Sequence, residues 1–167
     1  MSTPAMAPQN SALQQQIAAA RARAQSGASW FLWIAALSVI NTLITMGGGR
    51  MRFIFGLGIT TLIDSVGHQM GGSGQTVALA ASILGAAVIA IFGVLARKEL
   101  KWAFIVGMVL YVCDGLLLLP AKLYLDAAFH AWALFRLFQG LQALNALESL
   151  KSQQSMNAGA VSTSWQR

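Results

Sequence analysis

Residues 77–96, VALAASILGAAVIAIFGVLA, form a run of 20 residues without a charged side chain. A helix of that length spans about 30 Å, which matches the hydrocarbon thickness of a bilayer. The composition agrees with a membrane location, since 56% of the chain is apolar and only 10% is charged. A soluble domain carries about 25% charged residues, and a disordered chain has far fewer apolar ones. The sequence therefore predicts an all-α integral membrane protein.

Three further apolar segments predict membrane-spanning helices. They are Trp30–Met46, Trp102–Leu119 and a segment from about Leu123 to Leu147. Pro120 separates the last two, as expected for a turn. The predicted organisation is thus a transmembrane domain of residues 30–147 between polar tails of residues 1–29 and 148–167.

The N-terminal tail contains one short predicted helix. Ser11 fits its N-cap and Gly27 fits its end. The apolar stripe of this helix is thin because it depends largely on alanine: Leu13, Ile17, Ala20 and Ala24. We therefore expect a solvated or surface-lying helix, with a lipid-binding or partner-binding helix as the alternative.

Residues 51–70, MRFIFGLGITTLIDSVGHQM, do not fit a simple span. Their apolar part, Phe53–Val66, has 14 residues and would cover only about 21 Å as a helix. Glycine-rich runs at residues 47–49 and 71–74 flank the segment and can act as hinges. We predict a four-span helical bundle plus one re-entrant or interfacial helix, with five spans as the alternative.

The positions of lysine and arginine bear on the orientation of the chain. With four spans and a cytoplasmic N-tail, seven basic residues outside the spans lie inside and three lie outside. With five spans and an outer N-tail, the division is again seven to three. The charges do not separate the two arrangements, but both place the C-terminus in the cytoplasm.

Small residues predict a helix-packing face on residues 77–96. They recur at four-residue spacing: Ala78, Ser82, Ala86 and Ala90. Close helix contact in lipid needs small side chains, because no hydrophobic effect drives helices together there. Whether this face packs within the chain or between copies stays open. The first span aligns polar residues that we expect to bond to a neighbouring helix: Ser38, Asn41, Thr42 and Thr45.

Asp114 and His130 are titratable residues inside predicted spans. Asp114 lies about 9 Å and His130 about 12 Å from the shared turn at Pro120 and Lys122. Because the depths match and the helices are joined by a tight turn, we predict that Asp114 contacts His130. Tyr111, three residues before Asp114, is expected to join this buried polar cluster. An acid at membrane depth indicates a function by default, because its burial is costly.

Two Asp-x-x-x-His pairs, Asp64/His68 and Asp126/His130, are weaker signals. Four-residue spacing puts each pair on one helix face. Together with Asp114, these side chains could bind a divalent metal. A local hydrogen bond is the more common use of this spacing, so we predict no metal site, no cofactor and no catalytic residue.

Three stretches resemble small multi-pass inner-membrane proteins of bacteria that carry no assigned function. They are GLGITTLID (56–64), LKWAFIVGMVLYVCDGLLLL (100–119) and AFHAWALFRLFQGLQAL (128–144). The resemblance covers roughly residues 50–147. It implies a bacterial inner-membrane location and no particular activity.

The sequence thus predicts a non-enzymatic membrane protein that acts as a structural or accessory subunit of a membrane assembly. One alternative is a small oligomeric transporter or channel with a polar path through Asp114, His130 and Asp64. Another is a metal-dependent membrane enzyme. Expected partners are the lipid bilayer and either a second copy or another membrane protein. Nucleic acid is excluded despite the net charge of +6, because the basic residues lie between apolar runs. Cys113, the only cysteine, excludes disulfides and is expected to be inert packing.

Overall fold

A computed structural model describes residues 6–47, 57–120 and 122–164. These residues form five α-helices and no strand. The helices are α1 (Met6–Met46), α2 (Gly58–Met70), α3 (Gly72–Arg97), α4 (Lys101–Leu116) and α5 (Tyr124–Ser164). The predicted all-α class is confirmed for the described part of the chain.

Four of the helices form a closed ring. α1 packs against α3, α3 against α4, α4 against α5, and α5 against α1 again. A short turn at residues 98–100 joins α3 to α4, and the described residues between α4 and α5 are 117–120 and 122–123. α2 packs mainly on α3 and touches α1 and α4. The core therefore lies inside the ring, with α2 added on one side.

α1 is one continuous helix of 41 residues, about 60 Å long. The prediction that a separate N-terminal helix ends at Gly27 is wrong. Gly27 lies within α1 and packs against Gly140 of α5, where a Cβ atom added to Gly140 would lie 2.7 Å from the Gly27 Cα. Gly27 therefore lies at a close backbone contact between two long helices. α5 is equally long and continues beyond residue 147 without a break.

The apolar stripe in the first half of α1 is buried. Ile17, Ala20 and Ala24 are at most 8% exposed. They share one core cluster with Leu144 and Leu147 of α5. The expectation of a solvated or surface-lying helix is therefore wrong, because the stripe packs within the same chain.

Phe31 of α1 fills space that glycines leave on two other helices. A Cβ atom added to Gly93 of α3 would lie 2.9 Å from the Phe31 Cβ. A Cβ atom added to Gly107 of α4 would lie 2.8 Å from the tip of the Phe31 ring. The Phe31 ring also lies 6.1 Å from that of Phe104. Both glycines are needed for this aromatic side chain to enter the ring of helices.

The predicted packing row on α3 faces other helices of the same chain. Three of its members are buried: Ala78, Ser82 and Ala86. The fourth, Ala90, is half-buried against the core. Ala78 lies so close to Gly67 of α2 that no larger residue fits at Gly67. In this structure the row holds α3 to its neighbours within the chain.

α2 and α3 form an antiparallel hairpin. Gly71, the single residue between them, has a φ of +69°, which glycine adopts at no steric cost. Leu57, immediately before α2, lies beside Ser38, eight residues before the end of α1. α2 therefore begins inside the bundle and runs outward for 13 residues.

Ion pairs join three segments at one end of the bundle. Glu99, in the turn after α3, binds Arg21 Nε of α1 at 2.7 Å and Lys151 Nζ of α5 at 2.5 Å. Lys101 and Glu148 pair beside it at 3.4 Å. We call these five residues the charged end. Glu99 has a φ of +66°, a conformation that costs a non-glycine residue about 1 kcal/mol. The two ion pairs help to hold this turn.

We expect Gly27→Ala to lower the thermal stability of the purified protein in detergent. The added methyl group would collide with the backbone of Gly140, so the two helices must separate, at a cost of about 1–3 kcal/mol. Gly85→Ala is the matched control, because a Cβ atom at Gly85 would meet nothing within 4 Å. Equal melting temperatures for the two variants would contradict the close crossing.

We expect Glu99→Gln to destabilise the protein by at most about 1 kcal/mol at neutral pH, because Arg21 and Lys151 remain 48% and 41% exposed. The hydrogen bond from Lys151 lowers the pKa of Glu99 below its ordinary value of 4.5; partial burial opposes this, and Arg21 adds to it. The stabilisation is therefore present above the unfolded-state pKa and is lost as the pH falls through the lower folded-state value. Wild type and variant should differ in melting temperature at pH 7 and converge in acid. A difference that grows in acid would contradict the ion pairs.

Candidate functional site

The first backbone N–H groups of α2 are bound by side chains of other helices. Leu57, at the N-cap position, offers no side-chain acceptor, and the initial N–H groups of a helix need one. Ser38 Oγ of α1 accepts the Leu57 N–H at 2.7 Å. Asp114 of α4 accepts the Gly58 N–H through Oδ2 at 2.7 Å and the Ile59 N–H through Oδ1 at 2.8 Å. A remote acid and a remote hydroxyl thus cap α2.

Asp114 also binds His130 of α5. The Oδ2 atom of Asp114 lies 2.8 Å from His130 Nε2. The other ring nitrogen, Nδ1, lies 2.9 Å from the backbone carbonyl oxygen of Asp126. Asp114 is 7% exposed and His130 is 3% exposed, so both groups are held away from solvent.

The hydrogen-bond pattern assigns the protons of this pair. A carbonyl oxygen only accepts, so Nδ1 of His130 carries a hydrogen and donates it. One further proton then lies between Nε2 and Asp114, which makes either an imidazolium beside a carboxylate or a neutral imidazole beside a carboxylic acid. The two N–H donors and the dipole at the start of α2 favour the carboxylate. The site therefore holds one shared proton, and α2 stabilises its charge-separated form.

Tyr111 and Gly115 of α4 fix the position of the imidazole. The Tyr111 ring stacks on that of His130, with centroids 4.4 Å apart and an angle of 16° between the planes. A Cβ atom added to Gly115 would lie 3.2 Å from His130 Cδ2, so a larger residue would press on the ring. The buried Tyr111 hydroxyl has no hydrogen-bond partner among the described residues.

The structure brings together three residues that the sequence groups into one cluster, Tyr111, Asp114 and His130. The Asp126/His130 pair does interact, but through the backbone carbonyl of Asp126 and not through its carboxylate. Asp64 and His68 are in α2, but their side chains lie outside the described part of the structure. Among the groups that are described, no three His, Cys, Asp or Glu side chains are placed to hold a metal.

The bonding partner of Ser38 in α1 and the exposure of Cys113 in α4 are not predicted by the sequence. Ser38 does bond to a neighbouring segment, but its partner is the backbone of Leu57, which sequence reasoning missed. Its hydroxyl also donates to the Ile34 carbonyl at 2.8 Å. Cys113, which the sequence predicts to be inert packing, is a free thiol exposed on α4.

No family model matches the chain, and neither the curated proteins nor the solved structures contain a significant match to it. Within the described residues, two helical stretches are long and apolar enough to cross a membrane, Asn10–Thr45 and Gly72–Arg97. α4 has only 16 residues, and the first half of α5 carries Asp126, His130 and Arg136. By length and composition, α4 and α5 are therefore weaker candidates for membrane-spanning helices than the two stretches in α1 and α3.

We expect Asp114→Asn to destabilise the protein by about 1–3 kcal/mol. An amide in this position can accept one backbone N–H, but its NH₂ group would then face a second N–H donor at Gly58. Asp126→Asn is the matched control, because the site uses only the backbone carbonyl of Asp126. Melting in detergent should separate the two variants, and equal stability would show that the carboxylate does not hold α2.

Proposed function

We propose that this chain is a multi-pass protein of a bacterial inner membrane, without catalytic activity, that serves as a structural or accessory subunit of a membrane assembly. α1, α3, α4 and the first half of α5 are the four spans, and α2 is a re-entrant helix. Both termini lie in the cytoplasm. The proposal needs no cofactor.

The outward faces of α3 and α4 support a lipid environment. Large apolar side chains on these faces are 43–67% exposed: Ile83, Leu84, Ile91, Val94, Ile105, Val109 and Leu116. An apolar surface of this extent on a soluble monomer would cause aggregation or mark an interface. In a bilayer it is the expected surface of a spanning helix.

The position of α2 supports a re-entrant helix. Its 13 residues cover about 20 Å, which is too short to cross the hydrocarbon core. Its first N–H groups are paired with Asp114 and Ser38. Non-helical backbone at membrane depth is tolerated where protein groups satisfy it, and these side chains do so.

The charged end supports the orientation. The contact between Arg21 and Glu99 places the first half of α1 at the same end as the turn between α3 and α4. Lys151 adds the second half of α5 to this end. Basic residues prefer the cytoplasmic side, and the four-span arrangement predicts this grouping, whereas five spans would separate Arg21 from Glu99. The resemblance of residues 50–147 to bacterial inner-membrane proteins supports the choice of membrane.

The main support for a non-catalytic role is that both carboxylate oxygens of Asp114 are already hydrogen-bonded within the protein. Both carboxylate oxygens are bound to the backbone of α2, and one of them also binds His130. The acid therefore joins α2, α4 and α5, and little of it is exposed to a substrate. Such an arrangement favours a structural function over acid–base or metal chemistry.

A proton-linked transporter is the second candidate. It is favoured by the Tyr111 hydroxyl, which has no hydrogen-bond partner within the described part of the chain. This hydroxyl is buried beside a pair that shares one proton. Buried polar groups are normally bonded, so an unsatisfied one calls for an explanation. Reconstituted liposomes with an internal pH dye separate the candidates. An accessory subunit should give no proton flux above that of protein-free liposomes, while a flux that Asp114→Asn abolishes and Asp126→Asn preserves would establish the transporter.

We expect both termini to be accessible from the cytoplasmic side. Single thiols at Ser2 and Ser164 in a Cys113→Ser background can be labelled with a membrane-impermeant maleimide in intact cells and in inverted vesicles. Both should react only in inverted vesicles. Labelling of Ser2→Cys in intact cells would support five spans and reject the proposed topology.

The accessory role has its own test. After extraction in mild detergent, the native chain should migrate in a complex well above its own mass of 17.7 kDa. The purified chain in the same detergent should lose the additional mass. Identical migration of the two samples would argue against a subunit role.

A further inference from the structure

Two neighbouring cavities lie between α1 and α5, one polar and one apolar. We call them the polar half and the apolar half of one groove. The polar half has a volume of about 520 Å³ and is lined by Arg23, Ser26, Gly27, Arg136, Gln139 and Gln142, among others. The apolar half has a volume of about 490 Å³ and is lined by Trp30, Trp33, Leu37, Phe129 and Trp132. One groove thus offers two chemically distinct surfaces.

The two halves adjoin along both helices. Trp30 follows Gly27 by about one turn of α1, and Arg136 follows Trp132 by one turn of α5. The Arg136 guanidinium lies 5.7 Å from the centre of the Trp30 ring. The Trp30 and Trp132 rings meet edge to face with centroids 4.6 Å apart. A single ligand can therefore contact the arginine and the aromatic surface together.

The polar half carries two positive charges, those of Arg23 and Arg136. The described residues contain no acidic partner for Arg23 or Arg136. Arg136 instead donates to Gln139 Oε1 at 3.1 Å. By contrast, Arg21 is paired with Glu99 at the charged end. The groove is therefore complementary to an anion.

The polar half lies toward the charged end of the bundle. Gly140, which lines it, is close to Phe104, near the start of α4. In the proposed orientation this places Arg23 and Arg136 near the cytoplasmic headgroups, while the apolar half points into the hydrocarbon. Tryptophan is enriched at such boundaries.

We propose that this groove binds one anionic phospholipid. Arg23 and Arg136 bind the phosphate, and an acyl chain lies along Trp30, Trp33 and Trp132. Basic pockets between helices on the cytoplasmic side bind acidic headgroups, and an arginine fork suits a phosphate. The site depends on the membrane location in the proposed function and is independent of the accessory role.

Tryptophan quenching by brominated lipids tests the site directly. The chain has five tryptophans, and Trp102→Phe/Trp165→Phe leaves only Trp30, Trp33 and Trp132, which line the groove. This variant is reconstituted in two sets of phosphatidylcholine vesicles. In one set, 10% of the lipid is phosphatidylglycerol with brominated acyl chains, and in the other, 10% is phosphatidylcholine with brominated acyl chains. Brominated phosphatidylglycerol should quench more strongly. The double variant Arg23→Gln/Arg136→Gln should lower the association constant of phosphatidylglycerol, relative to that of phosphatidylcholine, by about fivefold for each arginine removed.

Arg97→Gln/Lys98→Gln is the charge-matched control, because both residues are exposed at the same end and lie outside the groove. This control should leave the preference for phosphatidylglycerol intact. If both double variants lost that preference equally, diffuse surface charge would explain it, and the proposed site would be overturned. Equal quenching by the two lipids in the parent would also overturn it, while leaving the membrane location standing.

A second variant that keeps Trp102 as its single tryptophan reports whether the protein is inserted in the bilayer. Trp102 lies on α4 and is 52% exposed. Quenching of Trp102 together with protected groove tryptophans would show that a second copy of this chain covers the groove, and would overturn the lipid site alone. Absence of quenching in both backgrounds would overturn the membrane location and the site together.

Discussion

The hydrogen bonds of the Asp114 carboxylate hold the start of α2 inside the bundle. A helix that begins away from water leaves its first N–H groups unsatisfied, and each costs about 1–3 kcal/mol if it stays so. Asp114 binds two of them, and Ser38 binds the one before. The burial of the acid is offset in turn by these donors and by His130. The acid and the helix terminus therefore stabilise each other, and removal of either leaves the other uncompensated.

Backbone-level contacts bring the helices close enough for this site to form. Gly58 lies against α4, where an added Cβ atom would be 2.8 Å from Leu118 and 3.0 Å from the Asp114 carbonyl oxygen. Gly115 leaves room for the imidazole of His130 in the same way. In a bilayer, apolar side chains gain little by leaving lipid for a helix interface, so close packing and polar bonds must provide the stability. In the membrane location that we propose, the glycines and the Asp114 site act together for this reason.

Particular residues show how far the sequence predicts this structure. Helical rise and one tight turn are enough to place Asp114 beside His130, because both lie within a few residues of the same turn. Gly27 misleads, since a glycine that ends a helix and a glycine at a helix crossing look alike until the partner, Gly140, is known. The sequence does not reveal that Asp114 caps α2, because its partners there are backbone N–H groups, which every residue except proline carries. One local signal does exist: Leu57 is a poor N-cap residue, so a helix that begins at Gly58 needs an acceptor from elsewhere.

The same bonds limit what a proton-linked function could look like here. Transfer of the shared proton from His130 to Oδ2 of Asp114 would remove the negative charge that the Gly58 and Ile59 N–H groups bind. The charge-assisted bonds to α2 would weaken to ordinary ones, which are about half as strong. Proton position and the docking of α2 are therefore coupled, and Gly71 is placed to act as the hinge between α2 and α3. Proton transport through this site would consequently require α2 to move, whereas a structural role requires it to stay bound.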